Sequence, residues 1–251
     1  MGLYESDHPD IPGMRGLHLF HFTLSNCSQR VRLALEDKGL PWTSHHLNLP
    51  ANEHLTSDYQ RIHPNGVVPA LVHDGQVVIE SNDILTYLDE TFPDPPLRPA
   101  AGPERAAMDA RIRESSEFQP TIKVLSHELL FRPFRKVGDE EIALFAEKHP
   151  DATLVEFLRD YAENGPGWRA RVQEARKRLD ATLLGLDAAL ADASWLTGSI
   201  YGLADISWVV NANRLQQAQI DLSPWPRLRD WATRAMARPA FQRAVSAYTP
   251  A

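Results

Sequence analysis

Leu17-His18-Leu19-Phe20-His21-Phe22-Thr23-Leu24-Ser25-Asn26-Cys27-Ser28 is the stretch on which the fold turns. Apolar and polar residues alternate over 17–22, the period of a half-buried strand, and 23–26 carries turn chemistry. From Ser28 to Lys38 the period changes. Val31, Ala34 and Leu35 fall on one helical face, and Gly39 is placed to stop the helix. Working outward, Trp42 to Leu49 alternates as a second strand, and Leu55 to Ile62 predicts a short helix broken by His63-Pro64-Asn65-Gly66. Val67 to Val72 and Gln76 to Ile79 read as strands joined by a tight His73-Asp74-Gly75 turn. Ser81 to Phe92 closes the unit as a helix with Ile84, Leu85 and Leu88 inward. The order is βαβ followed by αββα. A crossover helix makes the first strand pair parallel, and the Asp-Gly turn makes the last pair antiparallel.

On either side the character changes. Residues 1–16 form an arm that reads as loose, acidic and Pro-containing, with neither a positive leader nor an apolar run of the signal-peptide kind. Met1-Gly2-Leu3-Tyr4-Glu5-Ser6 matches the short N-myristoylation pattern, but no basic cluster follows, and Asp7 and Asp10 would be repelled by an anionic leaflet. Residues 93–103 hold five prolines and a glycine and read as a semi-rigid linker. Residues 104–251 are helical in character. The clearest helix is Arg169 to Leu190, with Val172, Ala175, Leu179, Leu183, Leu186 and Leu190 at spacings of three and four; Asp205 to Gln217 and Arg227 to Arg238 follow. The expected architecture is therefore a small α/β domain over 17–92 and an all-helical domain over 104–251.

The 251 residues carry 33 Asp and Glu against 26 Lys and Arg, a balance that argues against a dedicated nucleic-acid or anionic-membrane binder. With Cys27 the single cysteine, neither an intramolecular disulfide framework nor a cysteine-based zinc cage is available, and a reducing compartment is expected. No apolar run approaches the length of a membrane span. Dinucleotide, phosphate-loop and His-Glu-x-x-His motifs are missing, and the serine between Gly198 and Gly202 is misplaced for a nucleophile elbow. His18 with His21, and His45 with His46, each split across the two faces of a strand, which speaks against a metal site from either pair.

Three features remain. Ser25-Asn26-Cys27-Ser28 opens a helix, where backbone N–H groups and the helix dipole favour an anion, a thiolate included. Pro69 sits at the mouth of a strand and suits an edge position or a cis bond that bares Val68 for pairing with an extended peptide. Glu80-Ser81 opens another helix, whose amides suit a carboxylate.

In this combination the chain, from Leu17 to Tyr248, resembles the cytosolic glutathione transferases. The matching text is Ser25-x4-Arg30-Val31-Arg32-Leu33-Ala34-Leu35 with Lys38-Gly39, then Asn65-Gly66-Val67-Val68-Pro69-Ala70-Leu71, then Glu80-Ser81 leading into Ile84-x2-Tyr87-Leu88. Leu203-Ala204-Asp205-Ile206 and Arg238-Pro239-Ala240-Phe241 fit the helical domain. The resemblance implies a thioredoxin-like first domain, an all-α second domain, glutathione as cosubstrate, a homodimer and a cytoplasmic setting. Gly202 stands where the family carries a Ser or Thr helix cap, and glycine is itself an acceptable cap. Phe131 to Trp168 is extra helical material; Asp139-Glu140-Glu141 to Pro150 and Trp168-Arg169-Ala170-Arg171 look similar to bacterial transferases that cleave β-aryl ethers of lignin fragments. Leu47-Asn48-Leu49-Pro50 and Glu53-His54 look similar instead to a ganglioside-induced, differentiation-associated branch.

What the resemblance implies for the site is a glutathione thiolate attacking an aromatic or halogenated electrophile, with no metal or redox cofactor. Counting back from Arg30 points to Ser25 as the hydroxyl beside the sulfur, and counting back from Lys38-Gly39 points to Ser28; Asn26 is a side-chain donor in either register. Cys27, if it faces glutathione, makes thiol transfer through a mixed disulfide the alternative chemistry. A further alternative is a non-catalytic binding protein of the same fold. Val68 and Pro69 are expected at the cysteinyl backbone of glutathione, Glu80 and Ser81 at its γ-glutamyl carboxylate, and His54 at its glycyl end unless it is an exposed loop histidine. Phe118, Phe131 and Phe134 are expected to line the acceptor pocket or to be ordinary core.

Overall fold

The computed structural model describes residues 2–248. Strands β1 (Leu3–Tyr4), β2 (Leu17–His21), β3 (Trp42–His46), β4 (Ala70–His73) and β5 (Gln76–Ile79) form one mixed sheet in the order β1-β5-β4-β2-β3. The crossover helix α1 (Asn26–Asp37) makes β2 and β3 parallel, from Leu17 opposite Trp42 to His21 opposite His46. β4 runs antiparallel to β2 and β5, and the β4–β5 turn has Asp74 and Gly75 both at positive φ, the backbone that a two-residue hairpin turn needs.

Strand alternation gives the sheet two apolar faces. Leu19, Leu71 and Val78 lie in a core with Val31 and Leu35 of α1 and with Ile84, Leu85 and Leu88 of α3 (Ser81–Thr91). Phe20, Ala70, Val72 and Val77 point the other way, where Tyr59 of α2 (Ser57–Gln60) and Ile62 cover them. The expected helix over 55–62 is shorter than its apolar spacing suggested. Asn52 at positive φ and Thr56, whose hydroxyl accepts the Tyr59 amide, break the segment into short turns and a single helical turn. The strand expected from Val67 begins only at Ala70, because Gly66 turns at φ 54° and the Val68–Pro69 bond is cis, as the position of the proline suggested.

The arm departs most from expectation. Residues 2–16 are docked: β1 adds an outer strand to β5, pairing Leu3 with Val78 and Tyr4 with Val77. The Ser6 hydroxyl donates to the Arg61 carbonyl, His8 reaches Asp58, and Ile11 is buried in the second core. Sequence reasoning missed this because a two-residue strand has no period to detect. If the arm belongs to the fold, Ile11→Ala lowers unfolding free energy by about 2 kcal/mol, the lower range for emptying a buried isoleucine site. A denaturant midpoint equal to the parent's would return the arm to a loose state.

Helices α4 (Pro103–Leu125), α5 (Asp139–Lys148), α6 (Ala152–Glu163), α7 (Pro166–Ala189), α8 (Leu203–Gln217) and α9 (Pro226–Met236) make up the second half. α8 is its axis: Leu203, Ile206, Trp208 and Val210 are buried, with α4, α7 and α9 around them. Asp205 is fully buried and accepts from the amides of Leu196 and Gly202 and from the Trp231 indole. A Cβ on Gly202 would stand 2.5 Å from the Leu97 carbonyl oxygen and 2.6 Å from Met108, so glycine is required by the close approach of the connecting segment. That segment is tied down, with Lys38 donating to the Phe92 and Pro95 carbonyls and Leu97 to Asp89. The extra material contains α5 and α6. Gln60 donates to the Lys148 carbonyl, and the rings of Phe145 and His54 are 5.8 Å apart, so the insertion rests on the first domain.

Candidate functional site

The antiparallel pairing of β4 with β2 and β5 puts the end of β2, the start of β4 and the end of β5 side by side. Three segments of different chain position thus share one end of the sheet: the turn carrying Ser25 to Ser28, the Val68–Pro69 bend, and Glu80–Ser81. β3 ends there too, and its continuation leads to His54.

The turn at 22–25 is clamped. Its carbonyls are gripped from below: Arg32 donates to Phe22 and Thr23, Gln29 to Thr23, and Arg214 to Leu24. Arg32 is itself fully buried, held from behind by the Ala244 carbonyl and by the Tyr248 ring 4.2 Å from its guanidinium carbon. The four candidates on the turn therefore have different surroundings. Ser28 is fully buried and its hydroxyl accepts the Phe22 amide at 3.3 Å, so it is turned away from solvent. Asn26 is buried toward α8, donating to Asn211 at 2.8 Å. Ser25 is half-buried at the N-cap of α1. Its oxygen accepts the Ser28 amide at 3.3 Å, which leaves the hydroxyl proton free to donate outward. Cys27 is half-buried in the first helical turn.

At the second segment, Tyr59 donates to the Val67 carbonyl at 2.7 Å, and among the described residues neither backbone group of Val68 has a partner. At the third, Glu80 is exposed and sits at φ 65°, a conformation that a non-glycine residue holds only where its surroundings enforce it. Desolvation and the nearby Asp83 push its carboxyl above the ordinary value. Ser81 accepts from Arg30 at 2.7 Å, and Arg30, almost wholly buried, also donates to the Ser207 carbonyl. Asn82 continues this network into α4 and α8 through Ser116 and Ser207. His54 is not an exposed loop residue. It is buried under Phe145, and burial lowers its pKa to about 4, so its ring is neutral near pH 7.

The acceptor-side expectations divide. Phe118 is in the core, 1% exposed with its ring 5.4 Å from that of Trp208, and has no surface to present to a second substrate. Phe131 is half-buried and Phe134 is 70% exposed, their rings 6.0 Å apart at the π-helical end of α4. Sequence reasoning did not single out Lys123, His127 or Arg214. Lys123 lies 4.7 Å over the Phe157 ring, and its ammonium is lowered to about 8 by burial; Arg214 lies 5.4 Å over Phe131. The signal for Arg214 was a charge inside the apolar run of α8, where a solvated face does not exist.

Two family models match, the glutathione S-transferase N-terminal domain over residues 19–96 and the glutathione S-transferase C-terminal domain over residues 167–234. Glutathione S-transferase Z2 of Arabidopsis thaliana is 30% identical over 239 residues, covering 93% of this chain and 92% of that protein. Maleylacetoacetate isomerase of Pseudomonas aeruginosa is 29% identical over 241 residues, 93% and 98% of the two chains. The crystal structure of the beta-etherase LigF from Sphingobium superimposes with a TM-score of 0.84 at 27% identity, covering 93% of this chain and all of that one. With the paired domains, the shared end of the sheet and a relative aligned over nearly its whole length, the chain belongs to the glutathione S-transferase family of enzymes.

Proposed function

We propose that the protein binds glutathione along the shared end of the sheet and uses the Ser25 hydroxyl to hold the sulfur as thiolate, for attack on an aromatic electrophile. The observation that carries this reading is the state of Ser25: an N-cap whose oxygen is occupied by a backbone amide and whose proton has no partner among the described residues. A thiolate beside it receives that hydrogen bond and lies over the N-terminus of α1. Two neighbouring features support the placement of the tripeptide. Val68 offers a free N–H and C=O to the cysteinyl backbone. Ser81, the first amides of α3 and the Arg30 charge beneath them suit the γ-glutamyl carboxylate, while Glu80 suits the amino group. His54 lies toward the glycyl end as a neutral donor.

The chemical step follows from thiol ionisation. The thiolate carries the electron pair to carbon, the carbon–sulfur bond forms, and a phenolate or halide departs with the electrons of the broken bond. The structural likeness to a beta-etherase and the extra helices α5 and α6 favour an aryl ether as the electrophile, with Phe131 and Phe134 against its ring. The protein acts in this reading as a cytoplasmic homodimer, in keeping with its single free cysteine.

Calorimetry with glutathione tests the placement. Ser81→Ala weakens binding by about 1.5–3 kcal/mol, the range for a hydrogen bond to a charged group. Unchanged affinity would remove Ser81 from the site, and no heat of binding in the parent protein would remove glutathione.

A further inference from the structure

Arg30, Lys123 and Arg214, like Arg32, have no acidic partner among the described residues, but Arg32 is taken up by the carbonyls of Phe22, Thr23 and Ala244. Arg30 donates to Ser81 and a carbonyl, and its second terminal nitrogen has no partner among the described residues. Arg214 donates to the Leu24 carbonyl, and its Nε has no partner among the described residues. Lys123 has the face of Phe157. Among the described residues no carboxylate lies within 4.0 Å of any of them, whereas Arg98, Arg132, Arg135, Arg171 and Arg238 are each paired. Arg214 meets the turn at Leu24, and the rings under Arg214 and Lys123 are those of Phe131 and Phe157.

Their surroundings do not neutralise them. Asp151 pulls on the Lys123 proton, but its carboxylate is taken up by the amide and hydroxyl of Thr153. His127, between the two side chains, is kept uncharged by burial, with a pKa of about 4. Arg171 is turned to Asp160 and Glu156. Charges removed from water are ordinarily paired, because carbonyls and ring faces only partly offset the cost of desolvation. Glutathione answers one of the three: its γ-glutamyl carboxylate falls to Arg30, through Ser81. Lys123 and Arg214 remain, on the acceptor side. An aromatic wall joins them, since the His127 ring meets Phe157 at 4.9 Å and Phe131 at 5.5 Å, both edge-on.

We infer that the electrophile is an aromatic carboxylate, its ring against Phe131 and Phe157 and its carboxylate between Lys123 and Arg214. This rests on the glutathione reading above and adds the charge of the second substrate. Binding of two synthetic conjugates, S-(4-carboxybenzyl)glutathione and its neutral isostere S-(4-carbamoylbenzyl)glutathione, tests it by calorimetry. The expected result is a preference of about 10-fold or more for the carboxylate in the parent protein, the scale of one charge-assisted hydrogen bond. Lys123→Met removes most of that preference, and Lys123→Arg keeps it. Equal or weaker binding of the carboxylate by the parent overturns the inference without the need for any variant. So does an undiminished preference in Lys123→Met. If the carbamoyl conjugate binds and the carboxylate has no advantage, glutathione recognition stands and the acceptor charge is refuted. If neither binds, the glutathione reading fails and the inference falls with it.

Discussion

Ser25→Ala lowers turnover at neutral pH by about 10- to 100-fold while glutathione affinity changes little. The factor follows from ionisation: losing the hydroxyl proposed to donate to the sulfur raises the thiol pKa by roughly one to two pH units, and each unit removes about nine-tenths of the thiolate. Affinity is retained because, in the proposed placement, the tripeptide keeps Val68, Ser81 and Glu80. The loss should shrink as the pH is raised toward the ordinary thiol range, where glutathione ionises without help, and a pH–rate profile reads this directly. Ser28→Ala should not reproduce the alkaline recovery, since its hydroxyl is buried on the Phe22 amide; its cost should appear as instability of the turn. Cys27→Ser separates the other chemistry. If Cys27 is the reacting group, Ser25→Ala is mild, Cys27→Ser abolishes thiol transfer, and mass spectrometry of the parent shows a glutathione adduct on Cys27. Full activity of Ser25→Ala with no adduct would leave Asn26 or Ser28 as the donor.

The fold was legible where burial imposes a period. The two faces of the sheet, one with Leu19, Leu71 and Val78 and the other with Phe20, Val72 and Val77, are written as strand alternation, and the Asp74-Gly75 turn sets the register between β4 and β5. The docked arm was not legible. Its attachment includes one two-residue ladder, one buried isoleucine and the contacts of Ser6, Asp7 and His8 with Arg61 and Asp58, all between residues remote in sequence. Gly202 gives a similar lesson. As an N-cap it looked like a tolerated substitute for serine, but the Leu97 carbonyl leaves no room there for a side chain.

In the site, sequence spacing located the three segments but not which way their side chains face. Ser25, Asn26, Cys27 and Ser28 are all plausible at the start of a helix, and only the bonds of Phe22, Asn211 and the Ser28 amide sort them. The second domain was less legible still, because an aromatic residue in a helix looks alike whether it packs or binds. Phe118 packs against Trp208, whereas Phe134, 16 positions later, is open to solvent. Arg30, Arg32 and Arg214 carried a usable signal. Each interrupts an apolar helical face, and a guanidinium in that position must be held by carbonyls, a carboxylate or a ligand.

Acidification from pH 6.5 to pH 4 should cost several kcal/mol of stability, more than any single substitution above. His21, His54, His63 and His127 have pKa values lowered to about 3, 4, 4 and 4, in each case chiefly by burial, with positive neighbours such as Arg32 beside His21 and Lys123 beside His127. Unfolded, each ring takes a proton near pH 6.5. Between that value and the native pKa the unfolded chain binds more protons than the folded one, so stability falls as pH falls and levels off below the native pKa. Each ring contributes up to about 1.4 kcal/mol for every pH unit in that window. Glu80 and Asp205, whose pKa values are raised, act in the opposite sense, but they are fewer. The effect has a location as well as a size. His54, His63 and His149 each have a buried ring nitrogen with no partner among the described residues, and His149 lies close enough to depress the other two. This cluster lies where the insertion meets the first domain, so charging it should loosen α5 before the whole chain unfolds. Hydrogen exchange of α5 amides at pH 5, alongside urea unfolding from pH 7.5 to 4.5, measures both. Unfolding free energies that stay level down to pH 5 would mean that the rings gain solvent or partners, and that the insertion does not rest on neutral histidines.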